Sequence, residues 1–297
     1  MFAVVGTIAH ENFPLTRGEV RIQGENIGIQ DQVIPVHRGT PALLAAAVKA
    51  GEVLGLINPT GFLVGDIGRG KGSRTLYEFL VNILPALDFR VLTFHYLQPD
   101  VDWHNRVLFA VEEMSERPLL VADAGFMYAA KMSGQAEEYD LFTPDLGELA
   151  FLADEEAPHP FYTRGFILHE DQRVPELIAR AYQHKNAARH LLVKGQKDVV
   201  VHQGKIKAVI DRPMEEALEA IGGTGDTLTG IVSALIYSGM DMVSAAVLAA
   251  RVNRLAGHYA KPTPATQIID IIHQIPRALE EALKSQLGTL CPKLQIT

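Results

Sequence analysis

Short, continuous apolar runs alternate along most of the chain with segments in which apolar residues recur every three or four positions. The runs are typical of buried strands and the recurring spacing of amphipathic helices. Strands are predicted over 62–64, 91–94, 119–122, 191–193 and 199–201. Helices are predicted over 41–53, 76–84, 103–114, 126–132, 227–238, 242–260 and 265–285. This alternation predicts an α/β fold with a mostly parallel sheet and helices on both of its faces.

The first 60 residues have a different pattern, which predicts mainly strands. A short strand over 2–5 is followed by strands over 19–23 and 27–29 that flank a Gly-Glu-Asn turn. The helix over 41–53 is predicted to begin with Thr40 as its N-cap. We therefore expect residues 1–60 to form a β-rich extension with one helix, packed on a catalytic domain over 61–297. This extension either covers the site or mediates self-association into a homo-oligomer.

The segment over residues 153–170 interrupts the alternation of strands and helices. Pro158 and Pro160 stand two positions apart within it. Because proline removes a backbone donor and restricts the residue before it, this spacing predicts a loop or flap.

Composition and charge narrow the classes of function. Of the 297 residues, 47% are apolar and 21% charged, which is typical of a globular protein. The net charge of −8 and the absence of a lysine–arginine block argue against nucleic acid or a membrane surface as a partner. The single cysteine, Cys291, fits a reducing cytoplasm, and the start lacks the pattern of a signal peptide.

The most informative stretch is the glycine-rich loop over residues 221–231, which leads directly into a helical pattern. Gly222, Gly223, Thr224 and Gly225 precede Asp226. Glycines allow successive backbone N–H groups to form a concavity, and a helix N-terminus favours an anion there. An ionised aspartate beside such a phosphate cradle suits phosphoryl transfer to a hydroxyl. The alternative is an aspartate that merely caps a helix.

Two acidic residues follow a Thr-Pro turn at 143–144. Asp145 and Glu148 are three positions apart, so both can face one side of a helix start and hold Mg²⁺ directly or through water. A capping box, in which the two residues only close the helix end, is the alternative.

Two further residues follow predicted strands. Lys194, before Gly195, follows the strand over 191–193, so its ammonium would lie at the carboxyl edge of the sheet, where phosphates bind. The alternative is a solvated lysine in a turn. Asp123 ends the strand over 119–122 and is either a substrate anchor or a turn residue.

The loop over residues 65–73 is similar to the P-loop pattern G-x-x-x-x-G-K-[ST]. Gly72 stands where the pattern needs a hydroxyl after Lys71. We therefore favour a second glycine loop, in which Gly68 and Gly70 line the substrate side.

Together these motifs resemble those of the ribokinase-like superfamily, and within it the NAD(P)H-hydrate dehydratases. The sequence over 222–230 matches the family signature Gly-Gly-Thr-Gly-Asp almost letter for letter. Thr143-Pro144 with Gly147-Glu148, Val193-Lys194-Gly195 and the Asp123-Ala124 strand end are similar to further family motifs. The resemblance implies a three-layer α/β/α fold and extends over roughly residues 60–285.

The resemblance also implies roles for individual residues. Asp226 would be the catalytic residue and Gly222–Gly225 the anion hole. Lys194, Gly195 and Asn253 would lie on the nucleotide side, Glu148 and Asp145 at the metal, and Asp123 beside the substrate. ATP or ADP with Mg²⁺ would be the cofactors.

Three departures from the family pattern fall on the substrate side. Asp145 replaces a histidine, the segment over 94–100 replaces a Gly-Pro-Gly loop, and the first 60 residues have no clear counterpart. The sequence therefore supports nucleotide chemistry more strongly than the identity of the substrate. The family resemblance implies an ATP- or ADP-dependent dehydratase acting on hydrated NADH or NADPH. A kinase of a sugar or other small alcohol is the nearest alternative, followed by a non-catalytic nucleotide sensor and a P-loop NTPase.

Overall fold

The structure is a computed structural model that describes residues 1–157 and 173–290. The predicted flap therefore lies largely outside the described residues, as does Cys291. Within the described ranges, no helix is both long and apolar enough to cross a membrane.

The strands of the described chain form one sheet of eleven strands in the order β11-β10-β9-β8-β7-β6-β1-β5-β2-β3-β4. Every pairing from β9 through β5 is parallel, and the pairings at both edges are antiparallel. The strands are β1 (Phe2–Ile8), β2 (Thr16–Gln23), β3 (Asn26–Ile29), β4 (Gln32–Pro35), β5 (Thr60–Gly65), β6 (Val91–His95), β7 (Leu119–Ala122), β8 (Leu141–Phe142), β9 (His190–Val193), β10 (Asp198–His202) and β11 (Lys205–Ile210). The prediction of a mostly parallel sheet is confirmed.

The described residues also form α-helices on both faces of this sheet. They are α1 (Thr40–Leu54), α2 (Lys71–Ile83), α3 (Val101–Glu112), α4 (Gly125–Met132), α5 (Leu146–Ala153), α6 (Val174–Gln183), α7 (Thr224–Tyr237), α8 (Met242–Ala260), α9 (Ile268–Ile272) and α10 (Ile275–Leu290). The single helix predicted over 265–285 is in fact two, α9 and α10, and α6 was not predicted.

Side-chain alternation along the strands divides the core into two layers. On β1, Val4 belongs to the layer covered by α1, α7, α8 and α10, whereas Ala3 and Val5 belong to the opposite layer, which includes residues of α2 to α6. Successive side chains of a strand point to opposite faces of the sheet, so a strand buried on both faces is apolar throughout. This is the three-layer α/β/α arrangement.

The first 60 residues are built into the same sheet. β1 lies in its interior, where it pairs with both β5 and β6. β2 pairs with β5, and the β2–β3–β4 meander forms one edge. Residue 60 is the first residue of β5, which pairs with β1 and β2 of the predicted extension, and the division of the chain at this residue stays a prediction.

Helices α1 and α7 approach each other closely at Gly230. A Cβ atom at position 230 would overlap the backbone carbonyl oxygen of Leu43 and touch Ala46. Only glycine permits this approach, which brings the first turns of both helices to the same end of the sheet.

We predict that Gly230→Ala destabilises the fold by roughly 1–3 kcal/mol or more, because backbone must shift to admit the added methyl group. The free energy of unfolding from chemical denaturation measures this change. Gly51→Ala is the matched control on α1, where the added Cβ meets only Leu56 at 3.7 Å. It should be neutral or stabilising, and an equal loss in both variants would contradict the interpretation.

Candidate active site

Several polar side chains meet at the carboxyl edge of the parallel strands. His95 is the last residue of β6, Asp123 follows β7 and Lys194 follows β9. The first turns of α1 and α7 lie at the same edge and bring Asp226 to these residues. In open α/β sheets this edge is where ligands bind.

Asp226 is buried, with 8% of its surface exposed. His95 Nε2 lies 3.0 Å from its Oδ1, and the backbone N–H of Gly39 donates to its Oδ2 at 2.6 Å. Burial raises the pKa of Asp226, but the hydrogen bond from His95, the charge of Lys194 and the Gly39 N–H lower it by more than burial raises it. The net effect is a pKa below the usual range, so the carboxylate is ionised at neutral pH.

The backbone before Asp226 has the geometry of an anion cradle. Gly223 precedes α7 with φ 103°, a conformation that favours glycine. Within the described chain, the N–H groups of residues 222–226 have no acceptor. Unpaired N–H groups at a helix N-terminus favour a phosphate or carboxylate.

Lys194 forms a buried ion pair with Asp123. The Lys194 ammonium lies 2.8 and 3.0 Å from the two Asp123 oxygens, and the Thr229 hydroxyl donates to Asp123 Oδ2 at 2.6 Å. Thr229 in turn is 2.9 Å from the Thr143 hydroxyl. The stem of Lys194 runs beside Gly225, where a Cβ would lie 3.3 Å from its Cδ. The ammonium is therefore next to the cradle, with its charge largely compensated by Asp123.

Two residues predicted on the nucleotide side are held in internal contacts. Asn253 donates to the carbonyl of Thr224 and accepts from the hydroxyl of Thr227, so it fixes the first turn of α7. The backbone of Gly195 is held by the buried ion pair of Arg254 and Asp198. A direct contact of either residue with nucleotide stays a prediction.

Asp145 and Glu148 form a reciprocal capping box at the start of α5. The Asp145 carboxylate accepts from the N–H of Glu148 at 2.7 Å, and the Glu148 carboxylate accepts from the N–H of Asp145 at 2.8 Å. Burial, followed by the nearby charges of Asp145 and Asp123, raises the pKa of Glu148 to about 8, although Lys194 opposes the shift. The carboxylate oxygens have lone pairs beyond those used in the capping box. The repulsion among Glu148, Asp145 and Asp123, which raises this pKa, fits a nearby cation such as hydrated Mg²⁺.

The loop of Gly68 and Gly70 differs from a phosphate cradle because it encloses its own carboxylate. Asp66 accepts from the N–H groups of residues 68–70 at 2.9–3.1 Å, and from both the N–H and the hydroxyl of Ser73 at 2.8 Å. Asp66 therefore occupies the position that a phosphate takes in a P-loop. Gly70 faces Gln98, which follows β6.

His95 and the backbone N–H of Gly39 are contacts of Asp226 that the sequence interpretation missed. Thr40, predicted as the N-cap of α1, is its first helical residue; Gly39 is the N-cap, and the Thr40 hydroxyl lies 3.0 Å from His95 Nδ1. The sequence signal that could have identified His95 is its position at the end of a strand.

His95, Asp123 and Asp226 each place a potential metal-ligand atom within 4.8 Å of the others. Because the Lys194 ammonium is paired with Asp123, this cluster already contains a cation. The assignment of a divalent metal to Asp145 and Glu148 stays a prediction.

The fold is that of the ribokinase-like superfamily. A ribokinase-like superfamily protein from Enterococcus faecalis superposes with a TM-score of 0.55 at 14% identity, over 95% of this chain and 87% of that one. Phosphofructokinase-2 from Escherichia coli gives a TM-score of 0.55 at 12% identity, over 94% and 100% of the two chains. The prediction of a ribokinase-like fold is confirmed.

The family is defined more narrowly by sequence. The model of the family described as NAD(P)H-hydrate dehydratase matches residues 98–277, more than half of the chain. The chain belongs to the NAD(P)H-hydrate dehydratase family.

Three relatives show how far this similarity extends. An uncharacterized protein of Methanocaldococcus jannaschii is 41% identical over 243 residues, which cover 82% of this chain and 100% of the relative. The bifunctional NAD(P)H-hydrate repair enzymes Nnr of Hyperthermus butylicus and Pyrobaculum aerophilum are 37% and 30% identical, over 34% and 47% of this chain. The matches span only 19% and 25% of those enzymes.

The raised pKa of Glu148 predicts a dependence of stability on pH. The folded state holds a proton up to about pH 8, whereas the unfolded chain releases it near the ordinary value of 4.5. The stability gained from this proton is present below pH 4.5 and is lost as the pH rises toward 8. Without Mg²⁺, Glu148→Gln should therefore flatten the fall in unfolding free energy across this window. Glu112→Gln, at an exposed position of α3, is the control, and equal slopes in both variants would refute the assignment.

Proposed function

We propose that this chain is a nucleotide-dependent dehydratase of hydrated NADH or NADPH. The observation that carries the proposal is the buried, ionised Asp226 in the first turn of α7, beside unpaired N–H groups. Membership in the NAD(P)H-hydrate dehydratase family supports the choice of substrate. The names of the bifunctional relatives agree with it, although only part of each enzyme is matched.

In the proposed reaction Asp226 accepts the proton of the substrate hydroxyl. As the O–H bond breaks, the oxygen forms a bond to the terminal phosphorus of the nucleotide, and the bond from that phosphorus to the leaving phosphate oxygen breaks. The N–H groups of residues 223–225 would bind the charge that develops on the phosphoryl oxygens. The phosphate ester then leaves as inorganic phosphate, with loss of a proton from the ring, and the nicotinamide double bond is restored.

ATP or ADP, when bound with Mg²⁺, would supply the phosphoryl group and neutralise its charge. The residues that would hold them are the cradle, Lys194 and Gly195 for the nucleotide, and Asp145 and Glu148 for the metal through water. We propose that the chain acts as a cytoplasmic enzyme without nucleic-acid or membrane partners.

A kinase of a small alcohol is the second candidate, and the segment after β6 favours it. His95 and Tyr96 stand where the family pattern has a glycine loop, and Tyr96 is held at φ 52°. Burial and the charges of Asp226 and Asp123 raise the pKa of Tyr96 to about 12, so its phenol stays protonated beside the site. A substrate side rebuilt in this way fits an acceptor other than a dinucleotide.

Asp226→Asn should reduce turnover by about 10²-fold to 10⁴-fold, because the amide cannot accept the hydroxyl proton. Nucleotide affinity should stay nearly unchanged, since the N–H groups of the cradle remain. The measurement is recovery of NADH absorbance from NADH hydrate with Mg²⁺ and ATP or ADP, together with nucleotide binding by calorimetry.

Asp241→Asn is the matched control, since Asp241 caps α8 through Ser244. It should retain wild-type turnover. Full activity of Asp226→Asn would contradict the mechanism. Nucleotide binding without NADH recovery, but with a stable phosphate ester from a panel of alcohols, would favour the kinase. Binding without any turnover would favour a sensor, and loss of nucleotide binding in Lys71→Ala alone would favour a P-loop enzyme.

A further inference from the structure

A fully buried histidine, His95, links the start of α1 to the carboxylate of Asp226. None of its surface is exposed. Its Nε2 lies 3.0 Å from Asp226 Oδ1, and its Nδ1 lies 3.0 Å from the Thr40 hydroxyl. Both ring nitrogens therefore have a partner, as buried polar groups generally require.

These contacts determine where the protons lie. An ionised carboxylate only accepts hydrogen bonds, so His95 Nε2 must carry a hydrogen and donate it to Asp226. In the neutral imidazole Nδ1 is then an acceptor, and the Thr40 hydroxyl donates to it. The Nε2–H form of the ring is thus fixed from its far side by Thr40.

The backbone around this contact is shaped to admit it. Gly6 of β1 is opposite His95 in the parallel register. A Cβ at Gly6 would lie 2.6 Å from the Thr40 hydroxyl oxygen and 2.8 Å from the His95 carbonyl oxygen. Thr40 therefore reaches His95 only because position 6 has no side chain.

The start of α1 holds Asp226 in two ways. Gly39 donates directly to Oδ2, and Thr40 holds the imidazole that donates to Oδ1. Both oxygens of the carboxylate are thereby fixed in position. The remaining lone pairs are the positions left for a substrate hydroxyl.

We propose that His95 is the positioning residue of Asp226: its Nε2–H orients the carboxylate so that Asp226 can accept the proton of the substrate hydroxyl. The proposal rests on the proposed role of Asp226 as the base. The proposal thereby gives a function in the site to the segment over 94–100, which departs from the family pattern.

The charges around His95 agree with this role. Asp226 and, at 3.9 Å, Asp123 face its Nε2, and Lys194 is paired with Asp123. The rings of Tyr96 and His95 are nearly perpendicular, and their centroids are 4.3 Å apart. The two carboxylates on this side favour a donor at Nε2.

Two amide variants of similar chemistry separate the contacts of the ring. The longer side-chain amide of His95→Gln reaches about as far as Nε2 and can still donate to Asp226. The shorter amide of His95→Asn reaches about as far as Nδ1 and retains only the contact with Thr40. We expect kcat of His95→Asn to be at least about 10-fold below that of His95→Gln, with an unchanged KM for nucleotide. The acid limb of its pH profile should move to higher pH, because loss of the donor raises the pKa of Asp226.

His104 provides the control, since it is equally buried and bonded to Tyr139 and Ser133 at its two ring nitrogens. His104→Gln and His104→Asn should not change the acid limb. Equal kcat values and equal acid limbs in the two His95 variants, at equal folded fraction, would overturn the proposal.

An NMR measurement on the wild type needs neither turnover nor an active variant. Long-range ¹⁵N–¹H correlation of labelled histidine, assigned with His95→Gln, should place the His95 hydrogen on Nε2 and leave Nδ1 bare. The Nδ1–H tautomer would overturn the proposal. If NADH hydrate is not a substrate, the proposed function fails, while this spectrum still decides the role of His95.

Discussion

Two carboxylates, Asp123 and Asp226, are buried side by side at the carboxyl edge of the sheet, and the site is arranged around their charge. Burying a carboxylate without partners is very unfavourable, so each one needs donors. Lys194 and Thr229 satisfy Asp123, whereas His95 and the Gly39 N–H satisfy Asp226. These donors come from the ends of β6 and β9 and the starts of α1 and α7, so the two charges constrain how four elements meet.

The different partners give the two carboxylates different roles. Asp123 is paired with Lys194, and only 1% of its surface is exposed. Asp226 is hydrogen-bonded to an imidazole and a backbone N–H and lies next to the anion cradle. Lys194 thereby supplies a compensated positive charge beside Gly225, and Asp226 supplies the acceptor for a proton. The close approach of α1 and α7 at Gly230 lets one helix start support the base and the other present the anion site.

The layers of the fold were predictable because apolar runs and helical spacing record burial on both faces of a parallel sheet. The loop over 222–226 was predictable because clustered glycines directly before a helical pattern are typical of an anion cradle. His95 was not predicted, since a single histidine has no periodicity and its partner Thr40 is distant in sequence. Asp145 and Glu148, in contrast, were identified from the sequence, but their role was not. A helix cap and a metal site use the same residue types at the same spacing. Where the two alternatives share a spacing, only contacts can separate them.

The most direct test of the proposed phosphate site is a crystal structure with a non-hydrolysable ATP analogue and Mg²⁺. We expect the terminal phosphate to accept from the N–H groups of residues 223–225, with Asp226 still bound to His95 and Gly39. Phosphates bound instead at the loop over 65–73, with Asp66 displaced, would contradict the proposed mechanism.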